Sequence, residues 1–397
     1  MGVSLSLILM FLGGIIFVGF FASELFQKTK VPDSIILIGI GIALSQWGWV
    51  DPTVLEPLTA IVSSIAISMI LFEAGMSIKF KELTESLGTA FNMANISFVT
   101  NSFAIAALTF LFTGWDPLTS LMAGFLLGGT SAAVIIPMAK QILPEDLIVT
   151  AELESTITNI YNFIFALSVA KILQSTLVSP NLVINELLSY FSIGVFLGIV
   201  ISLLWIIFLK KFWGRPFSYM RTLAIILFLY GFAEFAGGSG ALASLIFGLM
   251  LGNNQALSEL IKTPAIGTGR FLKFSQEIAF LIRTYFFLFL GIVLRLPSDT
   301  KIWVLAIAIA VIAFMMRALS ARILKLPMEM AVLMPRGLGE AVIASLILEM
   351  GIPGAEELLV IVGLVIIVTN LFPAIVLNFW KKIEVKDDSQ LKSEAAK

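Results

Sequence analysis

The chain has 397 residues, 59% of them hydrophobic and 13% charged, against about 25% charged in an ordinary water-soluble domain. Mean hydropathy is +1.02 and the net charge is −1, so the composition fits lipid as solvent and no basic field points to nucleic acid. Cys and His are both absent, which excludes disulfides, thiolate chemistry and the usual metal ligand, and leaves proton handling to carboxylates, Lys or Tyr.

The first apolar segment has neither a basic n-region nor a small-residue cleavage site, so it reads as a membrane span and not a signal peptide. A span takes about 20 apolar residues. Candidates follow at 3–26, 31–48, 57–78, 87–113, 117–140, 150–172, 183–210, 219–236, 239–252, 276–296, 301–323, 326–350 and 354–380, thirteen in all. The fold class is therefore all-α and polytopic. The third span carries Glu73 near its end. The fifth is interrupted by Gly128-Gly129-Thr130-Ser131. The sixth places Ser155, Asn159 and Asn162 on one helix face, flanked by Glu154 and Thr158. Such a stripe faces protein or a water-filled cavity: it serves an ion path or hydrogen-bonds between helices. The ninth is short and Gly-rich, and Glu234 stands just before it at the Gly237-Gly238 pair. Residues 253–275 read as a linker. Arg283 and Arg317, in the tenth and eleventh spans, read as structural, snorkelling or paired. The twelfth is interrupted by Pro335-Arg336-Gly337-Leu338-Gly339-Glu340. The tail from 383 to 397 is polar and predicted to be disordered.

With the N-terminus outside and the C-terminus in the cytoplasm, the inner segments hold 19 Lys and Arg residues and the outer ones three. That asymmetry is the positive-inside signature. An internal repeat overlies it. Gly75 matches Gly291 and Lys79 matches Arg295, both 216 residues apart, and Thr130–Ile135 matches Leu338–Ile343, 208 apart. The matched spans differ by seven, an odd offset, so the two halves cross the bilayer in opposite directions. The predicted organisation is a first repeat over 1–182, a linker helix over 183–212, and a second repeat over 213–382.

Paired helix interruptions at matching repeat positions are the sequence mark of a transporter's midplane site. A charge in mid-span costs about 2.5–3.5 kcal/mol, so intramembrane ionisable residues are candidates for function. Arg336 needs a counter-charge, and Glu154, in the other half, is the expected partner in a structural core salt bridge. Glu340 and Glu73 are then free to titrate or to hold a cation.

KVPDSIILIGIGIAL, LFEAGMSIKF, GGTSAAVIIP, LESTITN, FLIRTYFFLFLG and MPRGLGEAV, in this order, resemble the cation–proton antiporter superfamily, in particular archaeal sodium/proton antiporters, over nearly the whole chain. The resemblance implies about thirteen helices in two inverted six-helix repeats, two crossed discontinuous helices in a core, a separate dimerisation domain and hence a homodimer. It further implies elevator-like exchange of Na+ (or K+ or Li+) for protons in a cell membrane, with no cofactor and no enzymatic activity. Carried over by position, Thr130 and Ser131 lie at the first crossover, Glu154 and Arg336 match the core salt bridge, Ser155 and Asn159 line the ion site, and Glu73 lies near it. This sequence departs at Asn159, preceded by Thr158, where the family usually has the Asp that takes cation and proton in turn. An amide releases no proton. Three explanations stay open: Glu73 or Glu340 takes over the titration, coupling has changed, or Asn159 is an engineered substitution. The competing reading is an uncoupled cation channel or carrier, or an ion-sensing membrane protein.

Overall fold

The computed structural model describes residues 5–29, 32–50, 56–78, 86–174, 180–212, 218–255, 269–294, 297 and 299–394. The described elements are all helical. In chain order they are α1 Leu5–Thr29, α2 Asp33–Gln46, α3 Glu56–Ser77, α4 Ser86–Thr113, α5 Pro117–Gly128, α6 Ala132–Ile142, α7 Glu145–Gln174, α8 Pro180–Phe212, α9 Ser218–Phe235, α10 Gly240–Gly252, α11 Gly269–Val293, α12 Thr300–Ile323, α13 Glu329–Val332, α14 Leu338–Glu349 and α15 Ala355–Glu394. Six of them carry stretches long and apolar enough to cross a membrane, within α3, α4, α7, α8, α12 and α15. α1, α2, α5 and α10 contribute shorter apolar stretches. The chain is a multi-pass membrane protein.

Side-chain caps start several spans where the sequence supplies them. Asp116 Oδ1 accepts from Leu118 N at 2.9 Å and Thr119 N at 3.0 Å, with Pro117 at the first helical position of α5. Ser239 Oγ accepts from Leu242 N at 3.1 Å to open α10, and Asp299 Oδ1 from Lys301 N at 2.9 Å to open α12. Between α14 and α15 the chain reverses through Gly351 and Gly354, whose φ angles of 69° and 81° favour glycine.

The helices sort into two bundles. α4, α5, α6, α7, α12, α13, α14 and α15 pack among themselves, as do α1, α2, α3, α8, α9, α10 and α11. Each bundle draws on both halves of the sequence. α14 meets α3 and α11 across the boundary. Within the second bundle, α3 and α10 touch backbone to backbone. Gly75 lies on Leu245 O and Gly248 on Phe72 O, with no room for a Cβ at either. α2 and α11 repeat the contact, Gly41 on Leu288 O and Gly291 on Ile38 O. Gly75 and Gly291 are the sequence-matched pair, so α3–α10 and α11–α2 are one motif with the halves exchanged. This is the inverted repeat in three dimensions. Close glycine contact of this kind holds membrane helices together by dispersion where the hydrophobic effect supplies nothing.

The two spans expected to be interrupted are interrupted. α5 and α6 are separated at Gly129–Ser131, and α13 and α14 at Leu333–Gly337. At 1.5 Å per residue, the twelve residues of α5 and eleven of α6 each reach about half of a ~30 Å hydrocarbon core.

One boundary is corrected. The segment 383–397, expected to be disordered, is helical through Glu394 as a continuation of α15, a helix of 40 residues. Extending a helix already nucleated costs little, and Lys, Glu, Gln and Leu favour it. The matched pair Lys79 and Arg295, residues 256–268 of the expected linker, and residues 395–397 lie outside the described residues.

Candidate functional site

A broken helix leaves carbonyls at one end and amide N–H groups at the other without partners, and in a membrane each must find one. Here the two breaks serve each other. Ser131 N donates to Pro335 O at 2.9 Å, so the first break is bonded to the second. Arg336, fully buried, turns its guanidinium onto the freed carbonyls. Its Nε and Nη2 donate to Leu127 O at 3.0 and 2.7 Å, and Nη1 to Met334 O. One cation thus covers the C-terminal end of the α5 half-helix, where partial negative charge collects, and a carbonyl of the segment between α13 and α14.

Arg336 is therefore not the partner of Glu154, and that expectation is corrected. Glu154 pairs with Arg317 of α12, Oε1 to Nη1 and Oε2 to Nη2, both at 2.7 Å, with side chains 0% and 1% exposed. The Arg317 fork matches both carboxylate oxygens, and its Nε still reaches Met330 O at 2.8 Å. Ser97 Oγ donates to Glu154 Oε1 at 3.3 Å. The sequence reading matched charge to charge. It left out the competing demand of the broken backbone, which takes Arg336 first.

Side chains of α7 and α15 hold the two breaks from behind. At the first, Asn162 Oδ1 accepts from Gly129 N at 2.9 Å, and Thr158 Oγ1 from Thr130 N at 3.3 Å. At the second, Thr369 Oγ1 accepts from Arg336 N at 3.2 Å, and Asn370 Nδ2 donates to Arg336 O at 2.7 Å. Asn162 and Asn370 are 208 residues apart, the spacing of the repeat. Sequence reasoning missed Thr369 and Asn370. The signal was there: they are the polar pair in an otherwise apolar span, at the repeat distance from the α7 stripe.

Of the residues expected at an ion site, Thr130, Ser131, Thr158, Asn159 and Glu340 meet at the crossing. Thr130 Oγ1 and Thr158 Oγ1 lie 3.4 Å apart. Ser131 Oγ lies against Gly337. Asn159 Oδ1 is buried with no hydrogen-bond partner among the described residues, and a Cβ on Gly339 would stand 3.2 Å from it. Glu340, fully buried, accepts from Gly337 N at 2.8 Å on Oε2 and from Asn162 Nδ2 at 3.1 Å on Oε1. Ser155 is buried beside Glu154 and turns its hydroxyl to Glu152 O of its own helix at 2.9 Å. Glu73 is not part of the crossing. It is half-buried on α3, within the field of Arg283, and Arg283 itself pairs with Asp33 at 3.1 Å. Glu234 is exposed, with Oε1 accepting from Gly240 N at 2.8 Å and Tyr190 Oη at 3.1 Å.

The crossing can hold a small hard cation by oxygen: a bare amide carbonyl, two threonine hydroxyls and one carboxylate not claimed by an arginine fork. Three or more grouped His, Cys, Asp or Glu side chains, as a resident transition metal would want, do not occur among the described residues.

The sodium/hydrogen exchanger transmembrane family model matches residues 8–381. The chain is 26% identical over 297 residues to the K+/H+ antiporter NhaP2 of Shewanella sp. strain ANA-3, covering 72% of this chain and 50% of that protein. It is 23% identical over 272 residues to the low-affinity Na+/H+ antiporter NhaS1 of Synechocystis sp., covering 68% and 50%. It thus spans about half the length of these relatives. In fold it is similar to the sodium proton antiporter MjNhaP1 from Methanocaldococcus jannaschii, with a TM-score of 0.80 at 16% identity over 93% of this chain and 96% of that one. The matched model takes in both breaks, α7 and the crossing, and the chain belongs to the sodium/hydrogen exchanger family of membrane transporters.

Proposed function

We propose that the chain exchanges a monovalent cation, Na+ as the first expectation, for protons by alternating access at the helix crossing, with Glu340 supplying the carboxylate that residue 159 lacks. The observation that carries this reading is the buried, unpartnered carbonyl oxygen of Asn159 facing Gly339, one residue from Glu340 at the junction of two broken helices. Glu154 is neutralised by Arg317, which leaves Glu340 as the crossing's free acid. A carboxylate with a neutral carbonyl beside it accepts a cation or a proton, and competition between the two is what couples their movements. Thr130, Ser131 and Thr158 belong to the same lining, while Ser155, with its hydroxyl on Glu152 O, and Glu73 on α3 lie beside it. No cofactor enters the cycle. The bundle of α4 to α7 and α12 to α15 is the moving part, sliding against a scaffold through which two copies of the chain associate. The setting is the cell membrane, with the N-terminus outside and the C-terminus in the cytoplasm.

Asn159 also favours a second reading, an uncoupled cation carrier, because an amide ligand passes no proton. The two are separated in proteoliposomes by following internal pH under imposed Na+, K+ or Li+ gradients. Exchange predicts proton movement driven by at least one cation, lost at least tenfold in Glu340→Gln. Cation flux without proton movement selects the uncoupled carrier. No exchange by the chain or by its Asn159→Asp variant rejects the antiport reading.

A further inference from the structure

We infer that Asn162 is the positioning residue of the crossing, the one side chain among the described residues that ties the backbone of the first break to the carboxylate of the second. This rests on the exchange reading above and deepens it. The amide is fully buried. Its Oδ1 takes Gly129 N at 2.9 Å and its Nδ2 gives to Glu340 Oε1 at 3.1 Å. The chemistry fixes the orientation: turned over, the amide would set oxygen against carboxylate oxygen and N–H against N–H. Gly129 makes room for it, since a Cβ there would fall 2.7 to 2.9 Å from the amide atoms.

The repeat supplies an internal control. Asn370 occupies the matching place behind the second break, and its amide stays within its own repeat. Its Nδ2 donates to Arg336 O and to Ile366 O of its own helix, both at 2.7 Å, and its Oδ1 has no partner among the described residues. Holding a break therefore does not require reaching across. Asn162 reaches across, and what it meets is Glu340, whose other oxygen is already fixed by Gly337 N at 2.8 Å. With both oxygens held, one by its own turn and one by the opposite repeat, the carboxylate has a single placement relative to Asn159, one helical turn away on α7. A cation ligand set needs that fixed geometry.

An exchange of polarity tests the bridge. Asn162→Asp keeps an acceptor for Gly129 N but sets two carboxylates face to face. Glu340→Gln removes the charge and leaves one acceptor oxygen for two donors, Gly337 N and Asn162 Nδ2. The double variant N162D/E340Q restores a donor–acceptor pair with its direction reversed, and restores the formal charge. Thermal melting of the purified full chain in detergent and cation-driven exchange in proteoliposomes are read together. The inference predicts that Asn162→Asp lowers the melting temperature by several degrees and raises the apparent KM for the cation at least tenfold. The double variant returns melting to near the unsubstituted value, while exchange stays low because residue 340 no longer carries the carboxylate. Unchanged KM and melting in Asn162→Asp, or a double variant no more stable than that single one, overturns it. If the unsubstituted chain exchanges nothing, the exchange reading fails, while the melting comparison still decides whether the bridge exists.

Discussion

At the scale of single residues, two buried arginines carry two separate tasks, and the pairing with Glu154 that the sequence assigns to Arg336 belongs to Arg317. Arg317 neutralises Glu154, and Arg336 satisfies a carbonyl from each broken span. Removing one member of a buried, hydrogen-bonded pair leaves the other charge uncompensated, at a cost of about 3–5 kcal/mol. Arg317→Met is therefore expected to lower melting temperature sharply in detergent. Glu154→Leu combined with Arg317→Met, which buries no charge, is expected to recover most of the loss. Equal loss in single and double variants would show that the pair is not what the substitution breaks. The stripe Glu154, Ser155, Thr158, Asn159 and Asn162 was legible in the sequence because polar side chains at helical spacing cannot face lipid. The partner of Glu154 was not, because the choice depends on where broken backbone leaves its carbonyls. That is a property of the crossing and not of either segment.

At the scale of elements, glycine contacts set which helices can touch. Gly248 and Gly75 bring α10 and α3 together, and Gly41 and Gly291 bring α2 and α11 together. Gly248→Leu forces a side chain into Phe72 O and is expected to abolish the folded, monodisperse protein on size-exclusion chromatography. Gly13→Leu, on α1 where nothing lies within 4 Å of a Cβ, is expected to leave it intact. Equal tolerance of both would remove the close approach from the account. The start of α5 allows a milder test. Desolvation is the largest single influence on Asp116 and raises its pKa, but hydrogen bonds from the Thr119 side chain, Thr119 N and Leu118 N together outweigh it and hold the carboxyl below the ordinary range. A depressed pKa contributes stability above the unfolded value near 4 and loses it as pH falls through the folded one. Asp116→Ala is expected to cost about 1 kcal/mol at neutral pH, and the difference from the unsubstituted chain should shrink on acidification below pH ~4. A difference that stays constant with pH would rule out the carboxylate as its source. Both breaks could be read from Gly and Pro in apolar spans. The glycine pairing could be half read, since matching Gly75 to Gly291 gave the repeat but not the helices each one meets.

For the whole molecule, the inverted repeat gives two versions of each motif, and function is to be sought where they differ. The glycine crossings are near copies. The breaks are not: one brings Arg336 and Glu340, the other Thr130 and Ser131, and only the amide behind the first reaches the second. Two bundles meet along α14, α3 and α11, so the crossing lies in one bundle beside its boundary with the other, where sliding would change access to it. The most direct measurement of this account is a structure of the full chain with Tl+, a heavy stand-in for Na+ or K+. The prediction is density for one ion at the crossing, within bonding distance of Asn159 Oδ1 and a Glu340 oxygen, lost on competition with excess Na+ or K+ and absent in Glu340→Gln. An ion bound elsewhere, with Asn159 and Glu340 left bare, would contradict it.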